Sequence, residues 1–492
     1  MEQQTSTHHE LVRGLGPIAA ISINVGNIIG TGIFLKARVM TCNVGTPWRV
    51  ILAWVAAGLL ALAGALTYAE LTTMRPHAGA EYVITKDAYG RVWGFLNGWS
   101  QFLISRTASA AALAVGFAIF MNNLLDGRIK AVWFTFTMPG FGHEVQLGSL
   151  TVIALITLAV TTAINCAAVS VSGHVASLIT ILKVLLVLGV GIAAFFFQGG
   201  EWGNFSMAST ASCEGEVTGA GFLGFSAAMV GALWAYDGWN NISYMAGEVK
   251  HPERNLPLAL IASMLIIIVL YVLVNVSYYY VMTPTEVASV DANATSVAAE
   301  AIRKMLGPLA VTFMAAVMML SSWGSLQSSI LGTARIPYAM ARDGVFFQSL
   351  ARVSKNTKVP VISLIVQGVW AGVLTLSGSF DQLTDMAIFA FWLFYGLVAG
   401  AVFVFRWREP DAVRPYKTWG YPVVPALFIL TTIYLIATTF LNYPARSVIG
   451  LAIIAAGLPV YWYFASKNPS SPTPGPPLPP AEPGVGPDSI RD

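Results

Sequence analysis

Long apolar runs dominate the chain, and short polar connections separate them. A helix needs about 17–25 apolar residues to cross a bilayer. No apolar heptad persists, which argues against a coiled coil. The pattern predicts an all-α polytopic membrane protein with twelve transmembrane helices, at about 17–40, 50–74, 93–125, 148–169, 175–198, 219–247, 256–282, 306–341, 359–379, 382–405, 422–442 and 446–465.

Composition supports this class and excludes others. The 492 residues are 56% hydrophobic and 10% charged, whereas soluble domains are about 25% charged. A net charge of +3 leaves no basic footprint for nucleic acid. The polar connections are at most about 25 residues long, which is too short for a catalytic domain. We therefore expect a protein that is not an enzyme.

Lysine and arginine are distributed unevenly between the two predicted faces. Seventeen fall on the side of the N-terminus and eight on the other, while Arg106 and Lys183 lie inside predicted spans. The positive-inside rule then places both termini in the cytoplasm of a cell-membrane protein. Residues 1–14 are expected to be an N-terminal cytoplasmic segment and 15–466 the twelve-span domain. Residues 467–492, with nine prolines, are expected to be a disordered cytoplasmic tail.

Metal and disulfide chemistry have little support in the sequence. The three cysteines, Cys42, Cys166 and Cys213, are too few and too scattered for a disulfide framework or a zinc site. None of the six histidines lies deep in a predicted span, so no metal site is expected. No cofactor is expected either.

Two predicted spans contain helix-breaking residues near their centres. Span 1 carries Gly30-Thr31-Gly32, and span 6 carries Asp237-Gly238 between aromatic residues. Inside a membrane, an interrupted backbone is tolerated where it lines a cavity or is buried in protein. Interruptions in spans 1 and 6 fit a five-plus-five inverted repeat with discontinuous helices 1 and 6. Repeat one would cover about 15–200, repeat two about 219–407, and spans 11–12 about 422–466.

A broken helix offers two complementary binding ends. The second half-helix begins with free N–H groups and the positive end of the helix dipole, which attract an anion. The first half-helix ends in unpaired carbonyls, which accept hydrogen bonds from a cation. An α-amino acid zwitterion would fit both ends at once.

Several segments together resemble the amino acid–polyamine–organocation superfamily, and within it a prokaryotic member of the L-type amino acid transporter (light-chain-like) family. The resemblance runs from about Leu15 to Tyr463. It rests on Ile29-Gly30-Thr31-Gly32-Ile33-Phe34, Gly64-Ala65-Leu66-Thr67-Tyr68-Ala69-Glu70-Leu71, Pro76-His77-Ala78-Gly79-Ala80-Glu81-Tyr82, Asp237-Gly238-Trp239-Asn240, Asn255-Leu256-Pro257 and Leu320-Ser321-Ser322-Trp323-Gly324-Ser325-Leu326 through Ala341-Arg342-Asp343-Gly344.

The resemblance implies a LeuT-like fold and sodium-independent transport of L-amino acids by exchange. By position, it implies that N–H groups of Thr31 and Gly32 hold the substrate carboxylate. Carbonyls of Ile28, Trp234 and Asp237 would hold the ammonium group. The Trp234 side chain would be the gate, and Phe391 would line the side-chain pocket.

The resemblance also gives roles to charged residues inside the spans. Lys183 matches a lysine that could replace the sodium ion of sodium-coupled relatives by binding carbonyls of the broken first helix. Arg106 is expected to hold spans together through an ion pair or carbonyl contact. Glu70 and Glu81 are expected to be gate or loop contacts at the cytoplasmic boundary.

The sequence departs from the family at one loop and leaves the substrate open. The predicted external loop 122–147 lacks the cysteine that joins eukaryotic light chains to a glycoprotein partner, so we expect no disulfide-linked heavy chain. Asp237 could favour polar or cationic substrates, or be protonated. We expect an exchanger of small or medium neutral amino acids working by alternating access. A proton-coupled symporter using Lys183 or Asp237 is the alternative, and a channel or receptor the remote one; the oligomeric state is open.

Overall fold

A computed structural model describes the protein at residues 15–77, 79–125, 127–137, 144–167, 173–211, 213, 221–291, 295–354, 357, 359–377, 380–442 and 444–467. The N-terminal segment 1–14 and the proline-rich tail beyond Lys467 lie outside these residues, so the predictions made for them stand as predictions. The described chain is almost entirely helical.

Nineteen α-helices are described. They are α1 (Pro17–Ile28), α2 (Gly32–Val44), α3 (Pro47–Met74), α4 (Ala80–Tyr89), α5 (Arg91–Ser100), α6 (Arg106–Leu124), α7 (Ser149–Ala167), α8 (Gly173–Ala193), α9 (Phe222–Tyr236), α10 (Pro252–Val281), α11 (Pro284–Ala288), α12 (Val297–Leu306), α13 (Pro308–Thr333), α14 (Arg335–Arg342), α15 (Val361–Thr375), α16 (Phe380–Arg408), α17 (Val423–Asn442), α18 (Pro444–Ala455) and α19 (Gly457–Lys467).

Other local structures connect these helices. A π-helical turn (Gln101–Ser105) joins α5 to α6, and 3₁₀ segments occur at Ala194–Phe196, Trp202–Ser206, Asn241–Glu248 and Gln348–Ala351. Strands β1 (Val132–Thr137) and β2 (Glu144–Gly148) pair antiparallel between α6 and α7. Sequence reasoning did not foresee this hairpin, although β1 consists of the β-branched and aromatic residues that are typical of strands.

Membrane-spanning character is clear from the helix lengths and their apolar surfaces. Eight of the described helical segments are long and apolar enough to cross a bilayer, and the bent pair α1–α2 makes a ninth candidate. All twelve predicted segments contain helix, although those of spans 5, 6 and 9 fall below that length in the described residues. The chain is thus a polytopic helical membrane protein. Twelve spans and the inverted repeat remain predictions.

Large apolar side chains face outward along the long helices. Leu185, Val369 and Ile433 are each more than half exposed. A water-soluble monomer rarely leaves so many large apolar groups uncovered, so this surface is suited to lipid. The interior is closed by aromatic packing, in which the Trp54 ring meets Tyr236 and Tyr271 at centroid distances of 5.8 and 5.4 Å.

The first span is broken as the Gly-Thr-Gly pattern predicts. α1 ends at Ile28 and α2 starts at Gly32, and their axes differ by 42°. The second interruption lies between α9, which ends at Tyr236, and the 3₁₀ segment Asn241–Glu248. Gly238 has a φ of 96°, a left-handed conformation that favours glycine. The second half of span 6 is therefore 3₁₀-helical in this structure.

The two interruptions lie against each other at backbone distance. A Cβ placed on Gly238 would lie 3.3 Å from the carbonyl group of Asn27, at the end of α1. A Cβ on Gly32 would lie 2.5 Å from the Cα of Ala235 in α9. Only glycine permits this approach, so the glycines both break the helices and bring the broken ends together.

One disulfide joins distant parts of the chain. Cys42, near the end of α2, bonds to Cys213, and 171 residues separate them in sequence. The expectation that the cysteines are too scattered for a disulfide framework holds for a framework, but it missed this pair. Sequence separation does not report spatial proximity, since the loop that carries Cys213 folds back over α2, where Ser209 N–H donates to Gly45 O at 2.8 Å.

Candidate functional site

A cavity lies where the two interrupted spans meet. It encloses about 30 Å³, room for little more than water, so the two breaks are nearly closed on each other in this structure. Residues from both breaks and from α6 and α13 form its wall: Asn27, Ile28, Gly30, Thr31, Gly32, Ser109, Leu113, Trp234, Asp237, Gly238, Asn241, Ser325 and Ser329. Five of the predicted site residues, Ile28, Thr31, Gly32, Trp234 and Asp237, are among them.

The start of α2 presents unpaired donors to this cavity. The first N–H groups of a helix have no acceptor within the helix, and here they begin at Thr31 and Gly32. No side chain caps the end at Thr31. The Thr31 hydroxyl is itself buried and has no hydrogen-bond partner among the described residues. The end of α2 can therefore bind an anionic group through backbone N–H groups and one hydroxyl.

The carbonyl end of α1 is partly occupied by the protein itself. Ile28 O accepts hydrogen bonds from the Gly30 N–H at 2.8 Å and from the Tyr271 hydroxyl at 2.9 Å. The same Tyr271 hydroxyl also lies 3.0 Å from Ala235 O. Tyr271 of α10 thus links the ends of the two broken helices. In this conformation, a ligand ammonium at Ile28 would share that carbonyl with Tyr271.

Asp237 is held by two partners behind the cavity wall. Its Oδ1 accepts a hydrogen bond from the Tyr395 hydroxyl at 2.9 Å, and its Oδ2 lies 3.6 Å from a guanidinium nitrogen of Arg106. Arg106 is 1% exposed. The expectation that Arg106 holds spans together through an ion pair agrees with this geometry, because the pair joins α6 to the break in span 6.

Phe391 lies behind the cavity wall. Its ring centroid is 4.3 Å from the guanidinium carbon of Arg106, and the ring stacks on Tyr395 at 5.6 Å. It is therefore placed against the Arg106–Asp237 pair, where it contributes a cation–π contact. Phe391 is not among the residues that line the cavity, so its place in the side-chain pocket stays a prediction.

Lys183 lies at the end of α1, as the resemblance implies. Its ammonium nitrogen donates to Gly26 O at 3.0 Å, Ile29 O at 3.2 Å and Ser325 Oγ at 3.1 Å. The side chain is 4% exposed. A cation at the C-terminal end of a helix is stabilised by the helix dipole and by the free carbonyls. Lys183 therefore ties α8 and α13 to the broken first span.

Three serines on α13 are the main residues at the cavity and the end of α1 that sequence reasoning missed. Ser321, Ser325 and Ser329 recur every four residues, which places them on one helix face. Ser321 donates to Ile29 O at 3.1 Å, while Ser325 and Ser329 line the cavity. This spacing was the signal that could have found them. Ser109 and Asn241 carry no comparable pattern.

The cavity extends toward the side on which the chain begins. Asn27 precedes the break in span 1, and Asn241 follows the break in span 6. Ser329 lies one turn before the end of α13. All three are on the face of the fold where α1 starts. On the opposite side, α2 and α9 pack closely through Gly32 and Ala235.

Comparisons with known proteins agree with this arrangement. The amino acid permease family model matches residues 15–464. The serine/threonine exchanger SteT of Bacillus subtilis is 29% identical over 462 residues, covering 94% of this chain and 98% of the relative. The b(0,+)-type amino acid transporter 1 of Mus musculus is 29% identical over 473 residues, covering 94% and 91%. The human cystine/glutamate transporter is 27% identical over 460 residues, covering 92% and 86%.

Proposed function

Since the chain belongs to the amino acid permease family, whose matching relatives are transporters rather than enzymes, we propose that it is a sodium-independent exchanger of small or medium neutral L-amino acids. The observation that carries the proposal is the cavity between the two broken spans, which joins a helix N-terminus to polar walls. Alternating exposure of this cavity to the two faces of the membrane would move the substrate.

The substrate's backbone groups are recognised at the breaks. Its carboxylate binds the N–H groups of Thr31 and Gly32 and also the Thr31 hydroxyl, which has no hydrogen-bond partner in the described part of the chain. Its ammonium group binds carbonyls around Ile28, Trp234 and Asp237. Trp234, 6% exposed and on the cavity wall, covers the substrate as the gate.

The substrate's side chain meets a small, polar pocket. Ser109, Asn241 and Ser329 lie on the wall. Hydroxyl and amide groups pair with a substrate hydroxyl and select against analogues that lack one. This favours serine and threonine over large apolar amino acids. The same two amino acids appear in the name of the Bacillus subtilis exchanger.

Lys183 supports transport without sodium. Its ammonium contacts two carbonyls of the broken first span and one serine hydroxyl, a set of oxygens of the kind that a sodium ion would take. A covalently fixed cation performs the same neutralisation and does not dissociate. A sodium gradient would then supply no energy, which is compatible with exchange of one amino acid for another.

The disulfide supports the proposed orientation and the absence of a covalent partner. Disulfides persist on the oxidising side of a membrane, so Cys42 and Cys213 would face outward and α1 would begin in the cytoplasm. The pair also uses two of the three cysteines, which leaves Cys166 as the free thiol. Maleimide labelling should find one thiol before reduction and three after it. Three labelled thiols without reduction would remove this support.

Uptake into proteoliposomes tests the proposal. Radiolabelled L-serine is added outside vesicles that contain unlabelled L-serine or buffer alone, with and without sodium, and with equal or acid external pH. Exchange predicts uptake only with internal serine, and no effect of sodium or of a pH gradient. Uptake into buffer-loaded vesicles driven by external acid would identify a proton symporter instead. No uptake of any amino acid in a competition panel would overturn the proposal.

A further inference from the structure

Glu81 is a buried carboxyl group that the transport cycle described above does not use. It lies in the first turn of α4 and is 1% exposed. It was expected to be a gate or loop contact at the cytoplasmic boundary, and that role stays a prediction. A carboxyl group is buried at a considerable cost unless hydrogen bonds or opposite charges compensate it, so its partners indicate what it does.

The carboxylate of Glu81 binds two side-chain amides from different spans. The Gln101 amide donates to Oε2 at 2.9 Å, and the Asn240 amide donates to Oε1. On its other side, the Asn240 Oδ1 accepts from Arg106 at 3.4 Å. Asn240 is thus hydrogen-bonded to an acidic side chain on one side and to a basic side chain on the other. Tyr244 completes the ring, donating to Gln101 Oε1 and accepting from Arg106, both at 2.9 Å.

A π-helical turn makes this ring possible. Gln101 and Arg106 are five residues apart, which on a regular α-helix would place them on different faces. The π-helical turn Gln101–Ser105 widens the helix so that both point inward. The Thr107 hydroxyl donating to Phe102 O, also five residues back, at 3.0 Å, shows the same widening. Single π-helical turns often occur at functional positions.

Asn240 belongs to the interrupted part of span 6. It follows Asp237 and Gly238, which line the cavity, and precedes Asn241, which also lines it. The neighbouring Trp239 carbonyl accepts a hydrogen bond from Asn24 of α1 at 3.0 Å. The segment has short-range backbone bonds of its own, Asp237 N–H to Trp234 O at 3.1 Å and Asn241 N–H to Gly238 O at 3.0 Å. The side-chain contacts of Asn240 add to these and help to fix this part of the cavity wall.

We propose that Glu81 is a positioning residue for substrate binding: it fixes Asn240, and through it the segment 237–241, and its ionisation makes substrate affinity depend on pH. The ionised carboxylate accepts from both amides, whereas the protonated group has one acceptor oxygen fewer. The segment is then held loosely, and substrate binding must order it.

The groups around Glu81 place this change near neutral pH. Burial raises the pKa of Glu81 to about 7, although Arg106, Asn240 and the hydroxyls of Tyr244 and Tyr68 partly oppose that effect. Asp237 and Tyr395 complete the cluster on the far side of Arg106. Because the pKa is raised, Glu81 is protonated below about pH 7 and ionised above it. Affinity should therefore rise between pH 6 and pH 8.

Glu81→Gln tests the proposal, because glutamine keeps one acceptor and never ionises. The pH dependence of the KM for serine exchange is measured in wild type, in Glu81→Gln and in Asp87→Asn. Asp87 is the matched control: it lies on the same helix, its pKa is also raised by burial, and it pairs with Arg75 at 3.5 Å, outside the cluster.

The wild type and Asp87→Asn should show the same fall in KM between pH 6 and pH 8. Glu81→Gln should show the KM that the wild type has at pH 6 at every pH. At pH 8 its KM should therefore be about tenfold above that of the wild type. This factor corresponds to the difference between a charge-assisted and a neutral hydrogen bond. The maximal rate at saturating serine should change much less. Parallel pH profiles in wild type and Glu81→Gln would overturn the proposal.

The transport measurement rests on the proposed function. A second measurement is therefore needed that does not depend on it. Asn241→Cys is introduced with Cys166→Ser, and the rate of labelling by a small methanethiosulfonate is compared with and without Glu81→Gln at each pH. Comparison at equal pH cancels the thiol's own ionisation. Glu81→Gln should label several-fold faster at pH 8 and equally at pH 6. Equal rates at both pH values would refute the positioning role even if serine were not the substrate, and absent uptake with the expected labelling would refute only the proposed function.

Discussion

Replacing Lys183 by alanine should nearly abolish exchange while leaving the protein folded. The ammonium group is the charged link between α8 and the carbonyl end of α1, through Gly26 and Ile29. After the ammonium group is removed, those carbonyls keep hydrogen bonds from serine hydroxyls. Ser325 remains 3.2 Å from Gly26 O, and Ser321 remains 3.1 Å from Ile29 O.

The size of the effect follows from the charged hydrogen bonds that are lost. The serine bonds are already present beside the ammonium, so each of the two carbonyls loses one bond to a charged group, which contributes about 1.5–3 kcal/mol. At the lower value, the two together lose about 3 kcal/mol in the arrangement that binds substrate, which is on the order of 100-fold in affinity. Loss of the fixed charge during reorientation adds to this, so exchange should fall by at least that factor.

Folding should be affected less than transport. A buried ammonium carries a desolvation cost of several kcal/mol, and its removal recovers that cost. The shortened side chain leaves a cavity that works in the opposite direction. Lys183→Met fills most of the volume without the charge, so it separates packing from electrostatics. Both variants should give monodisperse protein with thermal midpoints close to wild type.

Serine counterflow in proteoliposomes measures the activity, and thermal unfolding in detergent measures the folding. Ser325→Ala is the matched comparison, because it removes a neutral donor from the same two carbonyls and should cost only about fivefold. Exchange by Lys183→Met within twofold of wild type would refute the reasoning. Normal exchange by Lys183→Met with loss in Lys183→Ala would show that Lys183 acts through packing alone.

Three further predictions concern the walls of the cavity. Gly32→Ala should destabilise the protein by about 1–3 kcal/mol in thermal unfolding, because its Cβ would meet the α9 backbone. Gly30→Ala is the control and should fold normally, since its Cβ would lie 3.4 Å from the nearest side chain. Equal stability of the two variants would contradict this prediction. Trp234→Ala should raise the KM for serine about tenfold through loss of the aromatic cover, with Trp234→Phe intermediate; an unchanged KM would place the gate elsewhere. Removing the hydroxyls of Ser109 and Ser329 together should reduce the preference for serine over alanine in competition assays, and an unaltered preference would show that other groups read the substrate.

The interruptions of the two spans were predictable because they depend on local chemistry. Gly30-Thr31-Gly32 and Asp237-Gly238 are unfavourable for a helix wherever they occur. The position of Lys183 was also accessible, since the family resemblance implies that it binds carbonyls of the broken first helix. The packing role of Gly32 was not predictable from the pattern. A Cβ there would lie 2.5 Å from the Cα of Ala235, so α9 requires glycine at this position in addition to any contact that its N–H group makes with a ligand.

Features that depend on contacts across the fold were not predictable from the pattern. Glu81 sits in a polar segment, and a sequence window gives no sign that α4 turns it inward. The π-helical turn before Arg106 has no signature in its residues, so the shared face of Gln101 and Arg106 was not foreseen. The same holds for Phe391, which fits a pocket by position but packs on Arg106 in three dimensions.

The geometry of the breaks argues that α2 and α9 move together. Gly32 and Ala235 meet with no room for a side chain, so α2 and α9 cannot slide past each other without separating their backbones. Tyr271 bonds to carbonyls at the ends of both α1 and α9. The disulfide adds a covalent link, because Cys42 of α2 is joined to Cys213, in the segment that leads into α9.

Alternating access therefore requires relative motion between the unit formed by α2 and α9 and the polar groups that hold it at the breaks. These groups are Lys183 on one side and the Glu81–Arg106 cluster on the other. A substrate that bridges both breaks supplies contacts that the two broken helices share. When the cavity is empty, each broken helix contacts only its own polar group, Lys183 or the Glu81–Arg106 cluster. This is the physical reason to expect exchange rather than one-way uptake.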